Sequence, residues 1–108
     1  MEEKSITEEM MKELKTFKKK MKEKYGIKEM LIFGSAARDE MGKDSDIDII
    51  IISDDFKGIS PLKRPVKFYM EWDLPYPVDF ICYTPEEFER LKNRPSIVRD
   101  AIENGFVV

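Results

Sequence analysis

The succession of helix and strand patterns predicts an α/β (α+β) fold of two layers, with helices packed on one face of a small mixed β-sheet. Three observations lead to this prediction. An amphipathic helical pattern opens the chain, apolar stretches of strand length follow, and helical segments with recognisable capping residues lie between and after them. The link between the first two strands is short for a parallel crossover, which favours antiparallel neighbours and hence a mixed sheet.

The first helix is predicted over residues 5–25, because its apolar residues recur at spacings of three and four. Ser5 or Thr7 can cap its start, and Ser5 with Glu8 fits the capping-box pattern. Gly26 is well placed to end the helix in the left-handed conformation. The apolar stripe, which we interpret as core, consists of Ile6, Met10, Leu14, Phe17, Met21 and Tyr25.

The rest of the chain alternates strands with shorter helices. Gly34 breaks the first strand, and Ser35 opens a short helix that reaches Arg38. A helix start at residues 60–61 is followed by Pro65, which lacks a backbone donor, so we expect a kink or a restart there. The strands are predicted at 28–33, 46–53 and 78–83, with a short edge strand at 106–108, and the later helices at 60–72, from 84 onward and at 95–104.

The length of 108 residues predicts a single domain over residues 1–108, with one core that needs no disulfide. Cys82 is the only cysteine, and the chain contains no histidine. An internal disulfide, a zinc site of Cys and His ligands and a His general base are therefore excluded. Acid–base or metal chemistry in this chain must rely on carboxylates.

Charge and hydropathy limit the surroundings in which the chain can work. The net charge is −3, which is not that of a basic nucleic-acid coat protein. No apolar run approaches the roughly 20 residues that a membrane helix needs, and the amino-terminal residues do not resemble a signal peptide. We therefore expect a cytoplasmic location and no membrane partner.

Three carboxylates are the main candidates for chemistry. Asp46 and Asp48 stand two residues apart at the start of the second strand, so their side chains project from one face, about 7 Å apart. Asp79 stands in the apolar third strand, where an acid is unfavourable without a partner. With only oxygen ligands available, Mg²⁺ fits best. The alternative is that Asp46 and Asp48 merely begin the strand and that Asp79 pairs with a lysine.

A Gly-Ser turn stands just before the carboxylate pair. Gly34 at the end of a strand lets backbone amides approach a ligand closely. Ser35 offers a hydroxyl and free N–H groups to an anion, and Arg38 can reach a phosphate about one turn later. Beside two carboxylates and Mg²⁺, these groups favour a polyphosphate site. The alternative is an ordinary helix cap at Ser35 with an exposed arginine.

Together these residues resemble the minimal nucleotidyltransferases of the DNA polymerase β superfamily. That family carries a Gly-Ser turn, an Arg shortly after it, Ser-Asp-x-Asp on the next strand and a third Asp on a later strand. The resemblance covers essentially the whole chain, and the residues that match the pattern are Gly34, Ser35, Arg38, Ser45, Asp46, Asp48 and Asp79. One departure is Asp39, which stands where many members carry Gly after the Arg.

The resemblance implies a polymerase β-like fold and a nucleotidyl transfer. An acceptor hydroxyl would attack the α-phosphorus of a nucleoside triphosphate, with ATP the expected donor, and pyrophosphate would leave. Asp46 and Asp48 would bridge two Mg²⁺ ions, and Asp79 would bind the ion that activates the acceptor. The residues implied in binding the nucleotide phosphates are Gly34, Ser35, Arg38, Lys43 and Ser45.

The resemblance also implies a protein partner. Family members of this size often act beside a separately encoded helical protein of the HEPN type, as the antitoxin of a toxin–antitoxin pair, and some add AMP to that partner. Ile50 and Ile52 share a face with the acids and would need cover if all helices lay on the other face. The aromatic segment 68–72 is rich in residues that anchor interfaces. Ordinary core is the alternative for both features.

The basic residues and the acids also allow other interpretations. Lys57, Lys63, Arg64 and Lys67 could attract a nucleotide or RNA, or could simply form a solvated helix face. The acids could serve metal binding or stability in an antitoxin that neutralises its partner by contact alone. A third alternative is a homodimeric nucleotide sensor without turnover.

Overall fold

The computed structural model describes residues 8–34 and 46–108. The helices are α1 (Glu8–Tyr25), α2 (Val66–Glu71), α3 (Pro85–Leu91) and α4 (Ile97–Asn104). The strands are β1 (Glu29–Phe33), β2 (Ile47–Ile52), β3 (Val78–Tyr83) and β4 (Phe106–Val107). In these parts of the chain, none of the helices combines the length and the apolar character of a membrane span.

The strands form one mixed sheet in the order β3-β2-β1-β4. β1 runs antiparallel to both β2 and β4, whereas β2 and β3 are parallel. The predicted mixed sheet, the antiparallel first pair and the carboxy-terminal edge strand are therefore confirmed. The parallel pair is possible because the chain between β2 and β3 is long enough to cross over and contains α2.

The helices lie on both faces of the sheet, which corrects the prediction that they pack on one face. Two separate clusters of buried side chains show this. The first, here called the α1 face, includes Leu14, Phe17, Met21, Met30, Ile32, Ile47, Ile49, Ile51, Phe68 and Phe80. The second, here called the α4 face, includes Leu31, Phe33, Ile50, Ile52, Val98 and Ala101, with Phe88 and Leu91 packed against it.

The consecutive isoleucines of β2 explain the difference. A strand with one solvated face alternates apolar and polar residues, whereas Ile49, Ile50, Ile51 and Ile52 are all buried. The α4 helix covers Ile50 and Ile52 from within the same chain. These two residues therefore do not need a partner protein, and that part of the argument for a partner was wrong.

The predicted helix boundaries follow from local capping. Thr84 and Glu87 form a complete capping box at the start of α3, and Ser96 caps α4 by accepting from the N–H of Arg99. Pro65 immediately precedes α2, so the expected restart is observed. Gly26 follows α1 at a φ of 66°, as expected for a left-handed terminating residue.

A buried arginine joins the segment before α2 to β3 and α3. Arg64 is only 7% exposed. Its Nε donates to the carbonyl of Ile59 at 2.8 Å, and its Nη1 donates to the carbonyl of Cys82 at 3.1 Å. Both Nη atoms also bind the Glu87 carboxylate, at 2.7 and 3.2 Å, which lowers the pKa of Glu87. Since four acceptor contacts converge on one side chain, Arg64 is structural and is not part of a basic surface.

We expect Arg64→Met to lower the free energy of unfolding by about 2–4 kcal/mol, because it leaves a partly buried carboxylate and two carbonyls without their donor. Arg99→Met is the matched control, since Arg99 pairs with Glu103 at 3.3 Å on the exposed face of α4. That change should cost about 0.3–0.5 kcal/mol. Urea unfolding measures both values, and similar losses in the two variants would contradict the structural role of Arg64.

A second charged contact ties α1 to the end of α2. Glu71 accepts a hydrogen bond from the hydroxyl of Tyr25 at 2.9 Å, and it also pairs with Lys24 and with Lys20. The hydrogen bonds from Lys24 and Tyr25 lower the pKa of Glu71 to about 2. The carboxylate is therefore held in its charged form by the fold.

This pKa predicts a pH dependence of stability. The folded-state value is about 2 and the reference value is 4.5, so the contribution of Glu71 is fully present above about pH 4.5 and is lost as the pH falls through 2. We expect Glu71→Gln to melt at a lower temperature than the wild type at pH 7, with the gap closing toward pH 2. Thermal melts between pH 2 and 7 measure this, and a gap that stays constant over that range would be the contrary result.

Candidate active site

Parallel pairing of β2 with β3 brings two of the three candidate carboxylates side by side. Asp48 and Asp79 are register partners, and neighbouring strands lie about 4.8 Å apart. Their chain neighbours Ile49 and Phe80 point to the α1 face, so both carboxylates project from the opposite, α4 side of the sheet. Asp46 immediately precedes β2 and follows the same alternation. Asp48 is half-buried, and Asp46 and Asp79 are exposed.

Gly34 lies directly against Asp48. Gly34 follows β1, whose last residue, Phe33, is the register partner of Asp48. Its φ is 75°, and a Cβ atom built on it would lie 2.2 Å from Oδ2 of Asp48. The positive φ favours glycine, and a side chain at this position would displace the Asp48 carboxylate. Gly34, where the predicted Gly-Ser turn begins, therefore lies against Asp48.

The partner of Asp79 is a tyrosine rather than the lysine considered from the sequence. The hydroxyl of Tyr69 on α2 donates to Oδ1 of Asp79 at 2.9 Å. The hydroxyl oxygen of Tyr69 in turn accepts a hydrogen bond from the backbone N–H of Phe80 at 3.0 Å. Burial raises the pKa of Tyr69, so its hydroxyl stays protonated and can donate. Sequence reasoning treated Tyr69 only as an interface residue, since nothing in a linear pattern places α2 at the edge of β3.

The donor set suits Mg²⁺, because it consists of carboxylate oxygens on one sheet face. Over residues 8–34 and 46–108, no three acidic or cysteine side chains form a group that could hold a metal ion. Asp48 and Asp79 are the pair that the structure brings together, with Asp46 at the entrance of the same strand. The assignment of all three as metal ligands stays a prediction.

The other predicted phosphate-binding residues cannot be placed. Ser35, Arg38, Lys43 and Ser45 lie outside the described residues, as does the short helix predicted after Gly34. Of the predicted phosphate site, the structure describes Gly34 only.

Neither the basic residues between 57 and 67 nor the aromatic segment 68–72 forms one continuous exposed surface. Arg64 is buried, and Lys57 pairs with Glu86 at 3.5 Å. Lys67 lies 4.5 Å from the ring centre of Tyr25. In the aromatic segment, Phe68 belongs to the core while Met70 is 82% exposed. A continuous basic patch is therefore not formed by these four residues.

Several known proteins are similar to this chain in sequence. The model of the nucleotidyltransferase domain family matches residues 14–107. A protein adenylyltransferase named MntA from Thermococcus cleftensis is 36% identical over 76 residues, which cover 68% of this chain and 74% of that protein. A Methanocaldococcus jannaschii protein named "putative protein adenylyltransferase" is 52% identical over 50 residues, 46% of this chain. The chain spans about half, 49%, of that relative's length.

A solved structure shares the fold. The crystal structure of a Sulfolobus solfataricus protein, described as a "putative nucleotidyltransferase", superposes with a TM-score of 0.68 and covers 98% of this chain and 87% of its own. The two sequences are 24% identical, so this likeness concerns the fold. Given the match of the family model to nearly the whole chain and the identity to MntA, this chain belongs to the nucleotidyltransferase domain family, as its motifs predict.

Proposed function

We propose that this chain transfers AMP from ATP to a hydroxyl group of a protein, with Mg²⁺ held by Asp46, Asp48 and Asp79. The observation that carries the proposal is the register pair of Asp48 and Asp79 beside Gly34. The names of the relatives, which are protein adenylyltransferases, favour AMP and a protein acceptor over other nucleotides and acceptors. RNA is the acceptor that the same chemistry would serve next best.

In the proposed reaction, the acceptor oxygen forms a bond to the α-phosphorus of ATP, the bond from that phosphorus to the bridging oxygen breaks, and pyrophosphate leaves. Asp48 and Asp79, which are register partners, would provide the negative face on which the reacting groups align, and Asp46, just before β2, would extend it. Mg²⁺ bound there would neutralise the triphosphate and make the acceptor hydroxyl easier to deprotonate. Catalysis of this kind is mostly positioning and charge stabilisation, so it needs no histidine.

The phosphates of ATP are proposed to lie at the Gly-Ser turn. Gly34 presents backbone beside Asp48 with no side chain in the way. Ser35 and the backbone amides near it would bind the β- and γ-phosphates, and Arg38, Lys43 and Ser45 would add further contacts. This arrangement would place the α-phosphorus between the turn and the carboxylates.

We further propose that the acceptor is a helical protein of the HEPN type, and that the two form a toxin–antitoxin pair in the cytoplasm. The observation that favours a protein partner is an exposed apolar row along and before α2. Val66, 51% exposed, and Met70, 82% exposed, lie one turn apart on α2, and Leu62, 87% exposed, lies in the turn before that helix. A second copy of this chain could use the same row, which would make a homo-oligomer.

The same row favours a second candidate function. An antitoxin that binds its partner by contact alone would need this apolar surface and no turnover. The two functions differ in what happens when the carboxylates lose their charge, because contact binding does not depend on them.

We expect Asp46→Asn, Asp48→Asn and Asp79→Asn each to reduce AMP transfer by at least about 10²-fold, because each removes a charged ligand from the proposed metal site. The assay incubates the protein with α-labelled ATP, Mg²⁺ and the helical protein encoded by a neighbouring gene, and follows label on protein. Asp55→Asn, at an exposed position that follows the far end of β2, is the control and should leave transfer unchanged. If no label is transferred while the Asp→Asn variants still bind the partner, the contact function is correct instead.

We expect Gly34→Ala to abolish transfer, because the added methyl group would overlap Oδ2 of Asp48. Gly58→Ala is a matched control: Gly58 has a φ of 77°, but a Cβ there meets no atom within 4 Å. Both changes carry a left-handed backbone cost of about 1–2 kcal/mol, so only the overlap separates them. Transfer assays and thermal melts on both variants measure the difference, and equal activity would disprove the role of Gly34.

A further inference from the structure

We propose that Tyr69 is a positioning residue that holds the Asp79 carboxylate in the orientation needed for metal binding. This inference rests on the proposed function, since it assigns Tyr69 a role through one of the proposed ligands. Its basis is the hydrogen bond of 2.9 Å from the Tyr69 hydroxyl to Oδ1 of Asp79. An exposed aspartate at the start of an edge strand would otherwise be free to rotate.

The hydroxyl of Tyr69 is placed independently of Asp79. β3 is the edge strand of the sheet and binds β2 through the carbonyls of Pro77 and Tyr83. Residues alternate in direction along a strand, so the N–H of Phe80 points away from β2, and it donates to the Tyr69 oxygen at 3.0 Å. The Tyr69 ring also packs edge-on against Phe80, with 5.0 Å between ring centres. The hydrogen bond from the Phe80 backbone and the ring packing thus hold the Tyr69 hydroxyl in place without any contribution from the Asp79 carboxylate.

The side from which Tyr69 contacts Asp79 indicates that Tyr69 positions this carboxylate and is not itself the hydroxyl that receives AMP. Tyr69 reaches Asp79 from the outer edge of β3, whereas Asp48 lies on the inner side, on β2. The hydroxyl binds Oδ1, so Oδ2 is the atom that can serve the site beside Asp48. A hydroxyl on the outer side of Asp79 cannot lie between the carboxylates, where the reacting groups would align. Tyr69 therefore acts through Asp79 and does not itself receive AMP.

The neighbours of Tyr69 on α2 support a rigid donor. Phe68 is fully buried and anchors α2 in the core. Glu71 ties the end of the same helix to Lys20, Lys24 and Tyr25 of α1. Tyr69 lies between these two anchors, so its side chain projects from a helix that is held on both sides. A partner that orients a metal ligand typically contributes about 10- to 100-fold to metal affinity or activity.

The test is Tyr69→Phe, which keeps the ring and removes the hydroxyl. We expect the dissociation constant for Mn²⁺ alone, measured from the free-ion signal in electron paramagnetic resonance, to rise at least about tenfold. We also expect kcat for AMP transfer to fall while KM for ATP changes little, because the phosphates bind at the Gly-Ser turn. Tyr25→Phe is the matched control, since it also removes a tyrosine-to-carboxylate hydrogen bond of 2.9 Å, on the far side of α2. It should leave Mn²⁺ binding unchanged.

A double variant distinguishes positioning from a general loss of structure. If Tyr69 acts through Asp79, Tyr69→Phe combined with Asp79→Asn binds Mn²⁺ no more weakly than Asp79→Asn alone. Additive losses, or a loss in Tyr25→Phe equal to that in Tyr69→Phe, would overturn the inference. If Asp79→Asn weakens Mn²⁺ binding and Tyr69→Phe does not, the inference fails and the proposed function stands. If Asp79→Asn changes neither Mn²⁺ binding nor transfer, the proposed function fails and the inference fails with it.

Discussion

The parallel pairing of β2 with β3 is the contact on which the rest of the structure depends. β2 is buried on both faces, so its apolar residues are consecutive and its single charged residue, Asp48, stands near its start. β3 begins beside it in the same direction, with Asp79 in register with Asp48. Because both strands run in the same direction, both acids lie at the same end of the strands. An antiparallel β3 would have placed Asp79 at the opposite end of β2.

The segment from Ile59 to Glu71 protects the outer edge of β3. An edge strand exposes unpaired N–H and C=O groups, which must be satisfied or covered. Here the Tyr69 hydroxyl accepts from the N–H of Phe80, and Arg64 donates to the carbonyl of Cys82. The thiol of Cys82 is buried, and burial raises its pKa to about 12, which keeps it protonated at neutral pH. The segment that closes the sheet edge is also the one that reaches Asp79.

The candidate site could be predicted from the sequence only in part. The shared direction of Asp46 and Asp48 was predicted from strand periodicity, and the need of Asp79 for a partner from the cost of an unpartnered acid in an apolar strand, although Asp79 itself is exposed. The contact of Gly34 with Asp48 depends on the antiparallel pairing of β1 with β2, which the short link between these strands predicts. Tyr69 could not be found in this way, because its contact with Asp79 joins a helix to a strand edge across a proline-containing turn. The burial of Arg64 likewise could not be predicted, because its four acceptor contacts come from separate parts of the chain.

Local chemistry in the sequence determined where the elements begin and end. Gly26, Pro65, the Thr84–Glu87 capping box and Ser96 act on their immediate neighbours, so their effects can be read without a fold. Only the tertiary structure decided which sheet face each helix covers. The run of isoleucines in β2 is apolar on both sides. It therefore indicates that both faces of the strand are buried, but it does not indicate which helix covers each face. The α4 helix covers one face and α1 the other, because long-range packing rather than local preference assigns helices to faces.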